Sequence, residues 1–286
     1  MNIVFCGGDA RVGYAGELLT HMGHEVKAWR CPQEVVEILG EERQISIGEM
    51  PQGDALVLPT PITRDGKTVL GTFPALSLEE LKKVFPHFGY LFWSAPPPSL
   101  LQAVGNLPIR TLDIQKVESF VLTMAHFTAE AALTTLHEHT KKALHGQRIG
   151  MLGYGRIGQR LSRMLIALGA EVIVFARGEE KPKLALLDGA KEVYGFPIPN
   201  KALANINALV NTIPLPLLSE KDLLALPPNA LLLELATGVQ FPKSPQRLVV
   251  AHGLPGAVLP KSAGVALAEV IHKRLLENQV KQETSL

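Results

Sequence analysis

Arg148-Ile149-Gly150-Met151-Leu152-Gly153-Tyr154-Gly155-Arg156-Ile157-Gly158 is an apolar run that breaks on a GxGxxG turn. Each glycine of such a turn has its own task. Gly153 permits the tight turn out of a strand, Gly155 lets backbone approach a diphosphate, and Gly158 lets the helix pack closely on the sheet. Downstream, Ile157, Leu161, Met164, Leu165 and Leu168 recur at helical spacing, and Gly169-Ala170 leads into a second apolar run, Glu171 to Ala176. Strand, glycine turn, helix and strand make a βαβ unit whose helix N-terminus turns amide hydrogens and the positive dipole end toward phosphate. The pattern predicts a dinucleotide held by Gly153, Tyr154, Gly155, Arg156, Ile157 and Gly158. The alternative is a tight α/β turn that binds nothing.

The end of the second strand reads the type of cofactor. NAD enzymes place an Asp or Glu there for the adenosine ribose. This chain has Ala176-Arg177-Gly178 instead. A carboxylate repels a 2′-phosphate and an arginine pairs with it, so Arg177 favours NADP over NAD; otherwise it is a solvated loop residue. Asn211-Thr212-Ile213-Pro214 and Ala236-Thr237-Gly238 close the next strands. By position Thr212, Ile213, Pro214 and Ala236 would flank the nicotinamide, although such residues also make ordinary turns.

The first 30 residues repeat the layout. Asn2 to Cys6 is apolar, Gly7-Gly8 follows, a helical stretch runs from about Val12 to Met22, and Gly23-His24 leads into Glu25 to Trp29. Parallel strands joined by crossover helices read as apolar runs. Further strands are expected at Ala55 to Leu58, Tyr90 to Trp93 and Ile109 to Leu112, then at Ala208 to Asn211, Leu231 to Leu235 and Leu248 to Val250. Thr128 to Leu144, free of Gly and Pro, predicts a long connecting helix, and a last helix is expected over about Gly264 to Leu276. The fold class is therefore α/β, with two Rossmann-like doubly wound parallel-sheet domains. The first spans residues 1–125, a flavodoxin- or Rossmann-like substrate domain on which helix 265–286 packs back. The second, 126–264, binds the dinucleotide. The last ten residues, mostly polar, are expected to fray.

Composition limits the function. The 286 residues are 47% hydrophobic and 19% charged, enough for two cores. Lys and Arg number 28 against 27 Asp and Glu, which gives no positive field for nucleic acid or an anionic membrane. Cys6 and Cys31 lack partners at metal-ligand spacing, so no metal is expected and a reducing cytoplasm is the natural setting. The apolar start is too short for a signal peptide, and no uncharged run approaches the roughly 20 residues of a membrane helix.

Gly7-Gly8-Asp9-Ala10-Arg11, Leu152 to Gly158, Asn211-Thr212-Ile213-Pro214, and Gly253-Leu254-Pro255-Gly256-Ala257-Val258-Leu259-Pro260-Lys261-Ser262-Ala263-Gly264 resemble the dipicolinate synthase A-subunit family, in the expected order along nearly the whole chain. The resemblance implies a formate/glycerate-dehydrogenase-like fold and NADP-linked oxidation of dihydrodipicolinate to dipicolinate in endospore formation. It also implies a partner, the flavoprotein-like B-subunit of dipicolinate synthase; a homo-oligomer is compatible with it. The family's Asn-Ser-Ile-Pro-Thr-x-Glu-Gly stretch is altered here to Met124-Ala125-His126-Phe127-Thr128-Ala129-Glu130-Ala131, which keeps only Thr128 and Glu130.

A dicarboxylate substrate needs cationic and N–H donors and one base. Arg11 suits a bidentate clamp; the alternative is a pair with Asp9 that holds the loop. Lys261 would take the other carboxylate unless it is simply solvated. Asp9, Thr60, Ser94 and Thr128 complete the candidate substrate set. Glu130 is the candidate base, or else a carboxylate favourably placed in a helix's first turn. His126 and His252 are further candidates. Two other functions stay open: a 2-hydroxyacid dehydrogenase-like enzyme with another substrate, and a non-catalytic NADP-binding subunit that organises a partner.

Overall fold

The structure, a computed structural model, describes residues 1–238 and 241–283, with side chains described as far as residue 277. The chain forms two compact units. One holds Met1–Thr123 and the chain from Leu259 on; the other holds Met124–Val258. Five helices among the described residues have eight residues or more: α1 (Ala10–His21), α2 (Glu118–Thr140), α3 (Arg156–Ala167), α4 (Glu180–Leu187) and α5 (Pro260–Glu283). The division falls inside α2.

The first unit is a five-stranded parallel sheet of β1 (Asn2–Cys6), β2 (Glu25–Trp29), β3 (Gly53–Val57), β4 (Phe88–Trp93) and β5 (Arg110–Asp113), in the order β2-β1-β3-β4-β5. Val4, Leu56, Leu91 and Trp93 lie in its core with Phe85 and Leu81. α5 packs on α1 so closely that a Cβ on Gly264 would lie 2.6 Å from the Arg11 carbonyl, so only glycine fits there.

The second unit is a six-stranded parallel sheet of β6 (Arg148–Leu152), β7 (Glu171–Phe175), β8 (Glu192–Tyr194), β9 (Ala208–Asn211), β10 (Leu231–Glu234) and β11 (Arg247–Val250). Its order, β11-β10-β9-β6-β7-β8, reverses direction at the β6/β9 pair. That is the switch point at which open α/β sheets bind ligands, at the strands' carboxyl ends. Leu152 pairs with Phe175 on one side and Asn211 on the other, so the three strand ends lie level. At the opposite, amino edge, Arg148 ties the sheet together with hydrogen-bonded ion pairs of 2.8 Å to Glu171 and 2.7 Å to Glu192.

Two predicted helices differ most from those observed. α2 starts ten residues before Thr128, because the stretch free of Gly and Pro also extends upstream of it. It stops at Thr140, where Lys141 takes a left-handed φ of 55° and donates its N–H back to His137 O. Glu130 therefore lies inside the helix and not in its first turn, and the dipole argument for it fails. α5 is longer than Gly264 to Leu276, and includes Lys261 in its first turn. Of the ten residues expected to fray, 284–286 lie outside the described residues. No helix among the described residues is long and apolar enough to cross a membrane.

Candidate functional site

The glycine turn that leaves β6 is tight at its first and third glycines and open at its second. Gly153 has φ +99°, and a Cβ there would lie 2.5 Å from Thr212 Oγ1 and 2.7 Å from Ile213 Cγ1. A Cβ on Gly158 would collide with the Gly153 carbonyl, so the third glycine lets α3 press against the turn. Around Gly155, by contrast, an added Cβ would meet nothing within 4 Å, and no side chain caps the start of α3 there. An open glycine at an uncapped helix N-terminus is the cradle a diphosphate requires.

Neighbouring residues hold this turn rigid. Gln159 Nε2 donates to the Tyr154 carbonyl at 3.1 Å. The Tyr154 side chain is buried in the unit and its hydroxyl donates to Asp188 Oδ2 at 2.6 Å, where Arg163 also donates at 2.9 Å. Burial, then the bond to Asp188, pushes the Tyr154 phenol well above its ordinary range. Burial opposes the charge on Asp188, yet the bonds from Tyr154 and Arg163 prevail and hold it below the usual carboxylate range. Tyr154 thus offers a ligand only its backbone. Arg156 and Ile157 open α3, Arg156 exposed and Ile157 half-buried.

Two sets of loops flank the turn at the carboxyl edge. On one side lies an open depression of about 650 Å³ lined by Ala176, Arg177, Gly195, Phe196, Pro216 and Leu217, from the ends of β7, β8 and β9. The exposed Arg177 guanidinium lies over the Phe196 ring, 5.6 Å from its centroid. On the other side, Thr212 donates both its N–H and its hydroxyl to Leu152 O, at 3.0 and 2.8 Å, and Pro214 is exposed. Ala236 is buried and donates its N–H to Glu234 Oε1 at 2.9 Å. Glu234 is itself fully buried, and burial raises its carboxyl above the ordinary value. Sequence reading missed it, although a single acid interrupting Leu231-Leu232-Leu233-Glu234-Leu235 was the available signal.

The first unit brings Asp9, Arg11 and Thr60 together. Arg11 donates to Asp9 at 2.8 and 2.7 Å and to Thr60 O at 2.7 Å, so the loop-holding pair is formed. Ser94 is buried just past β4, and Lys261 is exposed. On α2, Glu130 is exposed, whereas the Thr128 hydroxyl proton is committed to Met124 O at 2.7 Å and is not free for a ligand. His126 is exposed, and His252 Nε2 is buried without a partner among the described residues. No group of three or more His, Cys, Asp and Glu among the described residues is arranged to hold a metal ion.

A sheet reversing at its glycine turn, with an open helix N-terminus beside it, is the arrangement of a dinucleotide-binding domain. Residues 121–241 match the family model of the D-isomer specific 2-hydroxyacid dehydrogenase NAD binding domain. Residues 2–144, half of the chain, match that of the dipicolinate synthase A-subunit N-terminal domain, and the chain belongs to that family. It is 34% identical over 165 residues to the dipicolinate synthase A-subunit of Bacillus subtilis (strain 168), an alignment that covers 54% of each. The chain thus spans about half the length of that curated relative. The crystal structure of the corresponding polypeptide of dipicolinate synthase from Bacillus subtilis superposes with a TM-score of 0.80 at 25% identity, covering 98% of this chain and 97% of that one. The A-subunit from Bacillus halodurans gives a TM-score of 0.79 at 23% identity, over 96% and 97%.

Proposed function

We propose that the chain oxidises dihydrodipicolinate to dipicolinate with NADP, as a cytoplasmic protein that works with a flavoprotein-like B-subunit during endospore formation. The observation that carries the reading is the open Gly155 at the uncapped start of α3. Membership of the dipicolinate synthase A-subunit family supports the substrate, and Arg177, presented over Phe196, supports NADP over NAD. The nicotinamide accepts a hydride from a ring carbon when it is bound. A proton must also leave the dihydropyridine ring, and its aromatisation drives the reaction.

The residues of this chain bind and orient. The amides of Gly155 to Gly158 take the diphosphate, while Thr212, Ile213, Pro214 and Ala236 form the nicotinamide side. Arg11, held still by Asp9 and the Thr60 carbonyl, is a preorganised cation for one carboxylate. Lys261 supplies the second charge, Ser94 lines the substrate side, and the exposed carboxylate of Glu130 takes the proton.

Mixing the chain, dihydrodipicolinate and NADP, with and without the B-subunit, tests this through the absorbance of the reduced nicotinamide. Reduction that depends on the substrate is the expected result. NADP binding without reduction in either mixture would instead support a second reading, a dinucleotide-binding protein that organises its partner. The Thr128 hydroxyl, committed to Met124 O, favours that reading.

A further inference from the structure

Glu234 is the most anomalous residue of the second unit. Its carboxylate is fully buried at the end of β10, where an apolar side chain would avoid a desolvation cost of several kcal/mol. It accepts three hydrogen bonds, all from neutral donors. Asn211 Nδ2 reaches both of its oxygens at 3.0 Å, and the Ala236 N–H reaches Oε1 at 2.9 Å. The Asn211 amide is in turn closed onto its own loop, with Nδ2 donating to Ile213 O at 3.1 Å and Oδ1 accepting the Ile213 N–H at 3.0 Å. One carboxylate therefore joins the loop that follows β9 to the loop that follows β10.

The place of this joint gives it a use. A dinucleotide lies across the switch point with its diphosphate at the glycine turn. Arg177 follows β7, on the β7–β8 side of the switch point, so the nicotinamide half falls to the β9–β10 side. The chain there is residues 211–214 and 235–238, the two segments that Glu234 ties together. We propose that Glu234 is a positioning residue which, by holding Asn211 and the Ala236 amide, fixes the two loops on which the nicotinamide half of the cofactor rests. This rests on the dinucleotide reading above. Glu234 itself touches no ligand and acts through Asn211.

The test compares NADPH with 2′-phospho-ADP-ribose, which lacks only the nicotinamide, by titration calorimetry of the full chain. In Glu234→Gln the new amide sets a donor against Asn211 Nδ2 or the Ala236 N–H. NADPH should then bind about tenfold more weakly, while the fragment stays within about twofold of wild type. If Glu234→Gln fails to fold, Asn211→Ala should show the same split between the two ligands. Equal weakening of NADPH and fragment, or no weakening of either, overturns the positioning role. Absence of binding to wild type by NADPH, NADH and the fragment overturns the cofactor reading, and this inference with it.

Discussion

The two units each carry a glycine turn between a first strand and a first helix, and the two turns have opposite surroundings. In the first unit, Gly8 donates its N–H to Leu70 O at 2.9 Å, and Gly71 packs directly on the Gly8 carbonyl. α1 is capped by Asp9, whose side chain accepts the Arg11 N–H, and Arg11 folds back on the same carboxylate. The chain has filled its own anion site. In the second unit the helix start has no side-chain cap and the space around Gly155 is open. A glycine pair after a strand thus marks a turn, and only its surroundings separate a turn closed on itself from one left open at its helix.

The largest effect should come from alanine at these turns. Gly155→Ala meets no atom of the protein, and its φ of −92° suits any residue, so the midpoint of thermal unfolding should stay within about two degrees of wild type. NADPH affinity should fall on the order of a hundredfold, because the new methyl occupies the diphosphate's approach. Gly8→Ala should do the reverse. With φ +99° and Val12 Cγ2 2.5 Å from the added Cβ, it should cost about 1–3 kcal/mol of stability and leave the affinity of the folded fraction unchanged. Calorimetry and thermal melts on both variants check the pair. A loss of affinity in Gly8→Ala would erase the contrast.

The next effect sharpens the cofactor choice. Arg177→Asp should weaken NADP about ten- to a hundredfold while NAD is unchanged or improved, since a charge-assisted bond becomes a repulsion. An unchanged preference would leave Arg177 as a solvated residue stacked on Phe196.

Smaller effects separate the amino edge of the same sheet from its carboxyl edge. Arg148→Ala removes hydrogen-bonded ion pairs to Glu171 and Glu192 and should cost about 1–2 kcal/mol in a denaturant melt, with NADPH affinity retained. The smallest effect is one of pH. The Glu234 carboxyl is raised above its ordinary 4.5, so the native state binds that proton more tightly than the unfolded state does. Its contribution to stability is full below the ordinary value and is lost as pH rises through the folded value. Melting temperatures measured across this range should fall less steeply with pH in Glu234→Gln than in wild type.

The legible part of this molecule was what repeats locally. β9 (Ala208–Asn211) was read residue for residue, and β6 and the turn after it within a residue, because apolar runs ending on glycine or polar turns have few other solutions. β8 was missed, since Glu192-Val193-Tyr194 is short and opens on a charged residue used to pair with Arg148. The start of α2 was misplaced because nothing upstream of Thr128 breaks the helix. At the site, the glycines and Thr212 could be named from spacing. The bonds among Tyr154, Gln159 and Asp188, and the buried one between Glu234 and Asn211, join residues up to 34 positions apart and leave no periodic trace.

A crystal of the wild-type chain soaked with NADPH is the most direct measurement of the central claim. The account predicts the diphosphate on the amides of Gly155 to Gly158, with the adenosine 2′-phosphate at Arg177. A nucleotide found on the Gly7-Gly8 turn, or a Gly155 cradle still empty at saturating NADPH and NADH, would contradict it.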